Sequence, residues 1–243
     1  MLLNMFSLFG ATLKTGTPAR GSAVILPDTL TLYDSTRHRA IPIAIYKPLG
    51  KPRQVVIFSH GYGQNKGGDY RNYSYLTASL ALKNCYVISI QHELPTDSLL
   101  PLTGNPQVVR KPFWERGADN IMFVISEIKK QQPTTMLKRI VLIGHSNGGD
   151  MTALFAQKYN GVATTIITLD NRRMPLPVLP GLKVCSIRSA DQPADEGVLP
   201  DIVTQQQHNI TITNTTVPHN NMDDSGTPAQ HKELMWYIKR WVK

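Results

Sequence analysis

Ile140-Val141-Leu142-Ile143-Gly144-His145-Ser146-Asn147-Gly148-Gly149 reads as an apolar run, then Gly-x-Ser-x-Gly, then a helical segment opening with Asp150, Met151 and Ala153. A short continuous apolar run suits a strand buried on both faces. A serine on the sharp turn between such a strand and a helix sits in strained backbone, its hydroxyl lifted above the sheet edge. Flanking glycines let strand and helix approach that closely. Thirteen serines and 17 glycines in 243 residues give ~0.06 chance matches, so the weight comes from the strand before and the helix after. Ser146 is the candidate nucleophile.

Outward from this turn, strand and helix alternate. Thr29 to Asp34 and Ile41 to Tyr46 form an expected antiparallel pair around a polar turn, Ser35 to Arg39. Strands follow at Gln54 to Ser59, Tyr86 to Ile90, Arg139 to Gly144, Thr164 to Leu169, Lys183 to Ile187 and Asn209 to Thr213. Helices are expected over Tyr70 to Lys83, Arg116 to Lys130, Gly148 to Tyr159 and Pro228 to Val242, with a weaker one near Leu199 to Gln206. A Pro-containing loop from Leu94 to Pro112 precedes the second helix. The alternation argues for an α/β fold with a mostly parallel sheet and helices on both faces. Residues 29–243 read as one domain, behind an N-terminal extension of residues 1–28.

A serine at its free pKa is a weak nucleophile and needs an adjacent base. Of the seven histidines, His219 in Val217-Pro218-His219-Asn220 follows the last strand, where its loop opens at the same carboxyl edge of the sheet as the Ser146 turn. His145 adjoins the nucleophile, but the chain direction turns it away. A carboxylate must then fix the imidazole tautomer. Asp191, after the strand ending near Ile187, is the preferred acid; Asp170 and Asp195 are alternatives. Phe58-Ser59-His60-Gly61-Tyr62-Gly63 follows an earlier buried strand and can aim backbone N–H groups at a developing oxyanion. The two donors expected are the N–H groups of Tyr62 and Asn147.

His60-Gly61-Tyr62-Gly63, Gly144-His145-Ser146-Asn147-Gly148, Asp191 and His219, in that order, resemble the α/β-hydrolase superfamily from about Thr29 onward. The resemblance implies an eight-stranded, mostly parallel sheet and a Ser-His-Asp hydrolase cleaving carboxylic esters or related acyl bonds, without a cofactor. The family's strand order also separates Cys85 from Cys185 by several strands and implies two free thiols. Many family members insert a helical lid after the sixth strand. Here Asp170 to Lys183 is a short Pro-rich link, so the chain resembles compact, lidless members such as dienelactone-hydrolase-like and chlorophyllase-like esterases. It carries Ser where dienelactone hydrolases carry Cys. Pocket walls are then expected from Gln64 to Asp69, His92 to Trp114 and Asn171 to Pro180.

Composition bounds the rest. Hydrophobic residues make up 41% and charged residues 18%, which is globular, and no apolar run is long enough for an integral membrane span. Twenty-six basic against 17 acidic residues leave +9, but the cations are scattered in ones and twos. They form no nucleic-acid signature; the small-molecule acyl substrate expected as partner is what the family resemblance implies. His92-Glu93 with Asp97 lacks metal-ligand spacing, and no metal is expected. The apolar stretch from Met1 to Leu13 lacks a basic start, which leaves the compartment open. Competing readings are a non-catalytic hydrolase-fold binding protein, and an acyltransferase or peptidase on the same three residues.

Overall fold

The computed structural model describes residues 24–131 and 136–242; the apolar stretch from Met1 to Leu13 lies outside them. Eight strands form one sheet: β1 (Asp28–Asp34), β2 (Arg39–Tyr46), β3 (Gln54–Ser59), β4 (Cys85–Ile90), β5 (Ile140–His145), β6 (Thr165–Leu169), β7 (Lys183–Arg188) and β8 (Ile210–Asn214). Their order is β1-β2-β4-β3-β5-β6-β7-β8. The pairs β1–β2 and β2–β4 are antiparallel, and every pair from β4 to β8 is parallel. The expected α/β class, with a mostly parallel eight-stranded sheet, is what the chain builds.

Six helices cover the faces: α1 (Ser74–Ala81), α2 (Pro106–Val109), α3 (Lys111–Gln131), α4 (Asn147–Lys158), α5 (Ile202–Gln207) and α6 (Pro228–Ile238). Strands β3, β4 and β5 are buried along their whole length, as their unbroken apolar runs require. Alternate residues feed two cores. Ile57, Ile88 and Leu142 meet Ile121, Val124 and Ile125 of α3 and Phe155 of α4 on one face. Val56, Val87 and Ile143 meet Leu76 and Leu80 of α1 and Leu234 and Ile238 of α6 on the other.

Several helix bounds differ from expectation: α6 stops at Ile238, short of Val242, and α5 starts at Ile202, not Leu199. α1 begins at Ser74, not Tyr70, because a separate 3-10 turn occupies Asp69–Arg71 and Tyr73 is in non-helical backbone (φ −137°, ψ 37°) with its side chain buried. α3 begins at Lys111, five residues before the expected start. Pro112 there signals the first helical turn, where a missing N–H costs nothing. α2 also lies inside the supposed loop; the Asn105 side chain caps it, accepting from the Gln107 N–H, and Pro106 is its first residue.

The link from Asp170 to Lys183 carries no helix, so no lid is inserted after β6. Cys85 on β4 and Cys185 on β7 are both buried and unbridged. Four strand spacings separate them, on the order of 19 Å, well beyond disulfide reach.

Candidate active site

The turn after β5 puts Ser146 at φ 52°, ψ −120°, a left-handed conformation that costs an L-residue about 1–3 kcal/mol. The flanking glycines make it sterically possible. A Cβ on Gly144 would lie 2.2 Å from the Gly148 carbonyl oxygen, and one on Gly148 would lie 2.3 Å from the Ser59 oxygen and 2.4 Å from the His60 oxygen. These neighbours are backbone atoms, so the close approach of α4 to β5 and to the end of β3 requires glycine at both positions. The Ser146 N–H donates to the Leu169 carbonyl (2.9 Å), which ties the turn to the end of β6.

Ser146 Oγ lies 3.0 Å from His219 Nε2, with His219 carried by a 3-10 turn (His219–Asn221) after β8. Across the ring, His219 Nδ1 lies 2.5 Å from Asp170 Oδ2. This corrects the expected acid, since Asp191 does not touch the imidazole. It is exposed, and its Oδ1 accepts from the His219 backbone N–H at 2.7 Å. Asp195 is engaged elsewhere, paired with Arg173 at 2.8 Å.

The physical reason is burial and register. Asp170 directly ends β6, the strand next to β5, and is fully buried. Asp191 comes three residues after the end of β7, one strand further out. Asp170 can stay ionised there because Arg188, buried at the end of β7, places its guanidinium 2.8 Å from Oδ1, and the Ser189 N–H donates to the same oxygen at 3.0 Å. Burial alone pushes the Asp170 carboxyl up, but the His219 hydrogen bond and the Arg188 charge outweigh it and hold it below the usual range.

Asn147 is the first residue of α4, where the N–H has no intrahelical acceptor. Its side chain is buried and locked: Oδ1 accepts from Trp114 Nε1 (2.8 Å), and Nδ2 donates to Glu93 Oε1 (2.8 Å). Burial raises the Glu93 carboxyl above the ordinary glutamate range. The Tyr62 N–H has no protein acceptor among the described residues.

The segment before Tyr62 is held by Tyr73, whose hydroxyl accepts from the Gly61 N–H (3.0 Å) and donates to His145 Nδ1 (2.8 Å). His145 is thus turned from the Ser146 hydroxyl, as expected, and its ring packs against His219 with centroids 4.8 Å apart. Burial lowers its pKa to about 3, so it stays neutral beside His219. His60 Nε2 accepts from the His92 N–H (3.0 Å), which leaves Nδ1 to donate to the Gly61 carbonyl (2.6 Å).

Sequence reasoning missed Tyr73, Trp114, Glu93 and Arg188 as supports of this site. Asp97, set beside His92-Glu93 as an imagined metal ligand, pairs instead with Arg39 (2.7 Å) and Arg116 (3.4 Å). Among the described residues no three His, Cys, Asp or Glu side chains are grouped to hold a metal ion. No described helix is long and apolar enough to cross a membrane.

The fold matches solved structures. A lidless α/β serine hydrolase from Xanthomonas campestris superposes with TM-score 0.59 at 16% identity, over 93% of this chain and 98% of that one. The chain has the α/β-hydrolase fold. A dienelactone hydrolase from Anabaena variabilis shares this α/β-hydrolase architecture with TM-score 0.57 at 15% identity, over 89% and 97% of the two chains. A thermostable esterase matches with TM-score 0.56 at 16% identity over 79% of this chain, which spans only 54% of that esterase. No family model matches the sequence, and no curated protein matches it. The α/β-hydrolase likeness is thus one of fold, carried by structure at low identity.

Proposed function

We propose that this chain is a serine hydrolase that cleaves a carboxylic ester or related acyl bond through an acyl-enzyme, with Ser146 as nucleophile, His219 as base and Asp170 as the acid. The observation that carries the reading is the continuous line Ser146 Oγ–His219 Nε2–His219 Nδ1–Asp170 Oδ2, at 3.0 and 2.5 Å, with Ser146 in the strained backbone of the turn. A buried, ionised Asp170 accepts the Nδ1–H and so leaves Nε2 free to take the serine proton.

In the first half-reaction Ser146 Oγ adds to the acyl carbonyl as His219 Nε2 takes its proton. The oxyanion faces the N–H groups of Tyr62 and Asn147, the first held through Tyr73 and Gly61, the second through Trp114 and Glu93. Collapse expels the alcohol, which takes the proton from His219. Water then adds to the acyl-enzyme with His219 as base, releasing the carboxylic acid and restoring Ser146. Solved neighbours described as esterases and as a serine hydrolase without a lid support this class of reaction. The helix-free link after Asp170 suits a small substrate reached over an open rim.

Intact-mass labelling with a fluorophosphonate tests the reading. The wild type is expected to gain one adduct that Ser146→Ala loses, and the wild type alone to turn over short p-nitrophenyl esters. A folded wild type that takes no adduct would put the non-catalytic binding protein in its place.

A further inference from the structure

At the opposite pole of the sheet, the face that α1 and α6 cover is left open at one corner. Residues 165, 183, 211 and 213 point to the same face as Ile167, Cys185 and Ile187, as the register of β6, β7 and β8 requires. A doubly covered sheet puts apolar side chains at such positions, yet here they are Thr165, Lys183, Thr211 and Thr213. α6 buries Leu234, Met235 and Ile238 and then stops, and the segment before α5 packs Leu199 with Ile212 on the other face. A cleft of about 740 Å³ results, within the range of small-molecule sites.

Its charge is one-sided. Lys138, Arg139, Lys183 and Arg240 line it and no carboxylate does. None of the four forms an ion pair among the described residues, although all four are exposed. Tyr237 and Trp241 form an aromatic wall, and the Arg240 guanidinium is stacked over Trp236 at 3.4 Å from the ring centroid. Threonine hydroxyls on the floor add short, rigid hydrogen-bonding groups.

We propose that this cleft binds a small ligand bearing clustered phosphate groups, of nucleoside polyphosphate size, with its phosphates between Lys183, Arg139 and Arg240. The amino ends of β5 to β7 and the face of β8 bound it, whereas Ser146 follows the carboxyl end of β5, a strand length of roughly 17 Å from that strand's start. It is therefore a second site, independent of acyl chemistry.

Calorimetric titration of the full chain with inorganic tripolyphosphate and with ATP, at about physiological salt, tests it. Saturable 1:1 binding of either is expected. Loss of a charge-assisted contact at Lys183→Gln or Arg139→Gln should weaken it about tenfold each. Lys232→Gln, the same charge change at an exposed position of α6 outside the cleft lining, should leave affinity unchanged. Circular dichroism confirms folding of each variant, and fluorophosphonate labelling of Ser146 should be unaffected by all three. The proposal is overturned by absence of saturation up to millimolar ligand or by equal weakening in Lys232→Gln. Binding confined to an oligonucleotide would overturn it as well, as that would mark a diffuse cationic surface.

Discussion

Changing Asp170 to Asn, alongside the same change at Asp191, separates two carboxylates that both contact His219 but at different atoms. Asp170 meets the ring Nδ1 at 2.5 Å, and Asp191 meets the backbone N–H at 2.7 Å. An amide at 170 keeps the shape but not the charge that selects the productive tautomer, and in Ser-His-Asp hydrolases that loss is about 10⁴-fold in turnover. At 191 one exposed, charge-assisted hydrogen bond is weakened, about 1 kcal/mol, which is less than tenfold.

Folding must be controlled for, because Asp170→Asn also strands the buried Arg188 guanidinium and costs about 3 kcal/mol or more. Arg188→Met is the matched control. It breaks the same buried pair but leaves the carboxylate on His219, so activity per folded molecule should fall far less. The assay is kcat/KM on a short p-nitrophenyl ester together with the fluorophosphonate labelling rate, both normalised to protein shown folded by circular dichroism. If Asp191→Asn loses 10³-fold while Asp170→Asn stays within tenfold, the assignment of the acid is wrong and the buried geometry has been misread.

Gly148→Ala should destabilise by about 3 kcal/mol or more, because the added Cβ meets the Ser59 and His60 carbonyls and neither can move without breaking β3. Gly161→Ala, with open space but φ +81°, should cost only about 1 kcal/mol, both read from urea midpoints. His145 is neutral in the fold down to about pH 3 but takes a proton near 6.5 when unfolded, so stability is lost as pH falls from about 6.5 toward 3. The slope is about 1.4 kcal/mol per pH unit for that group, and a His145→Asn variant should show a shallower dependence between pH 4 and 6.5. Asp150, raised to about 6, works in the opposite sense between its unfolded value and pH 6 in both proteins, and so cancels in the comparison. A thiol reagent should find no rapidly reacting cysteine in the native chain and two in urea, since both are buried and the Cys185 thiol is pushed up to about 12.

The sheet was legible because its central strands are short, mainly apolar runs and its edge strands β1 and β8 alternate apolar with polar residues, and each one forms within a residue or two of its expected bounds. The Ser146 turn was legible for a sharper reason: two glycines are forced by backbone contacts that no other residue survives. Helix starts were read less well. Pro106 and Pro112 look like breakers in a propensity reading, yet both sit in first turns, where the ring's fixed φ is an advantage. Tyr73 reads as part of a helical apolar stripe, but a buried hydroxyl must be partnered. Satisfying it against Gly61 and His145 holds Tyr73 outside the helix.

The carboxylate that meets His219 shows what a pattern reading omits. Proximity to a strand end favoured Asp191, but it ranked candidates one at a time and ignored the cation that a buried carboxylate needs. Arg188 was that missing signal, since it ends a strand buried at every position but its first, and a guanidinium buried there requires a carboxylate on an adjacent strand. β6 supplies one candidate at its end, Asp170, and the same contact that pays for burying Arg188 keeps Asp170 charged. That ionised carboxylate orients His219, and His219 in turn reaches Ser146. Charge pairing across neighbouring strands, not spacing along the chain, therefore selects the carboxylate that meets the His219 ring, and Asp191 is left to fix the backbone of the turn that carries His219.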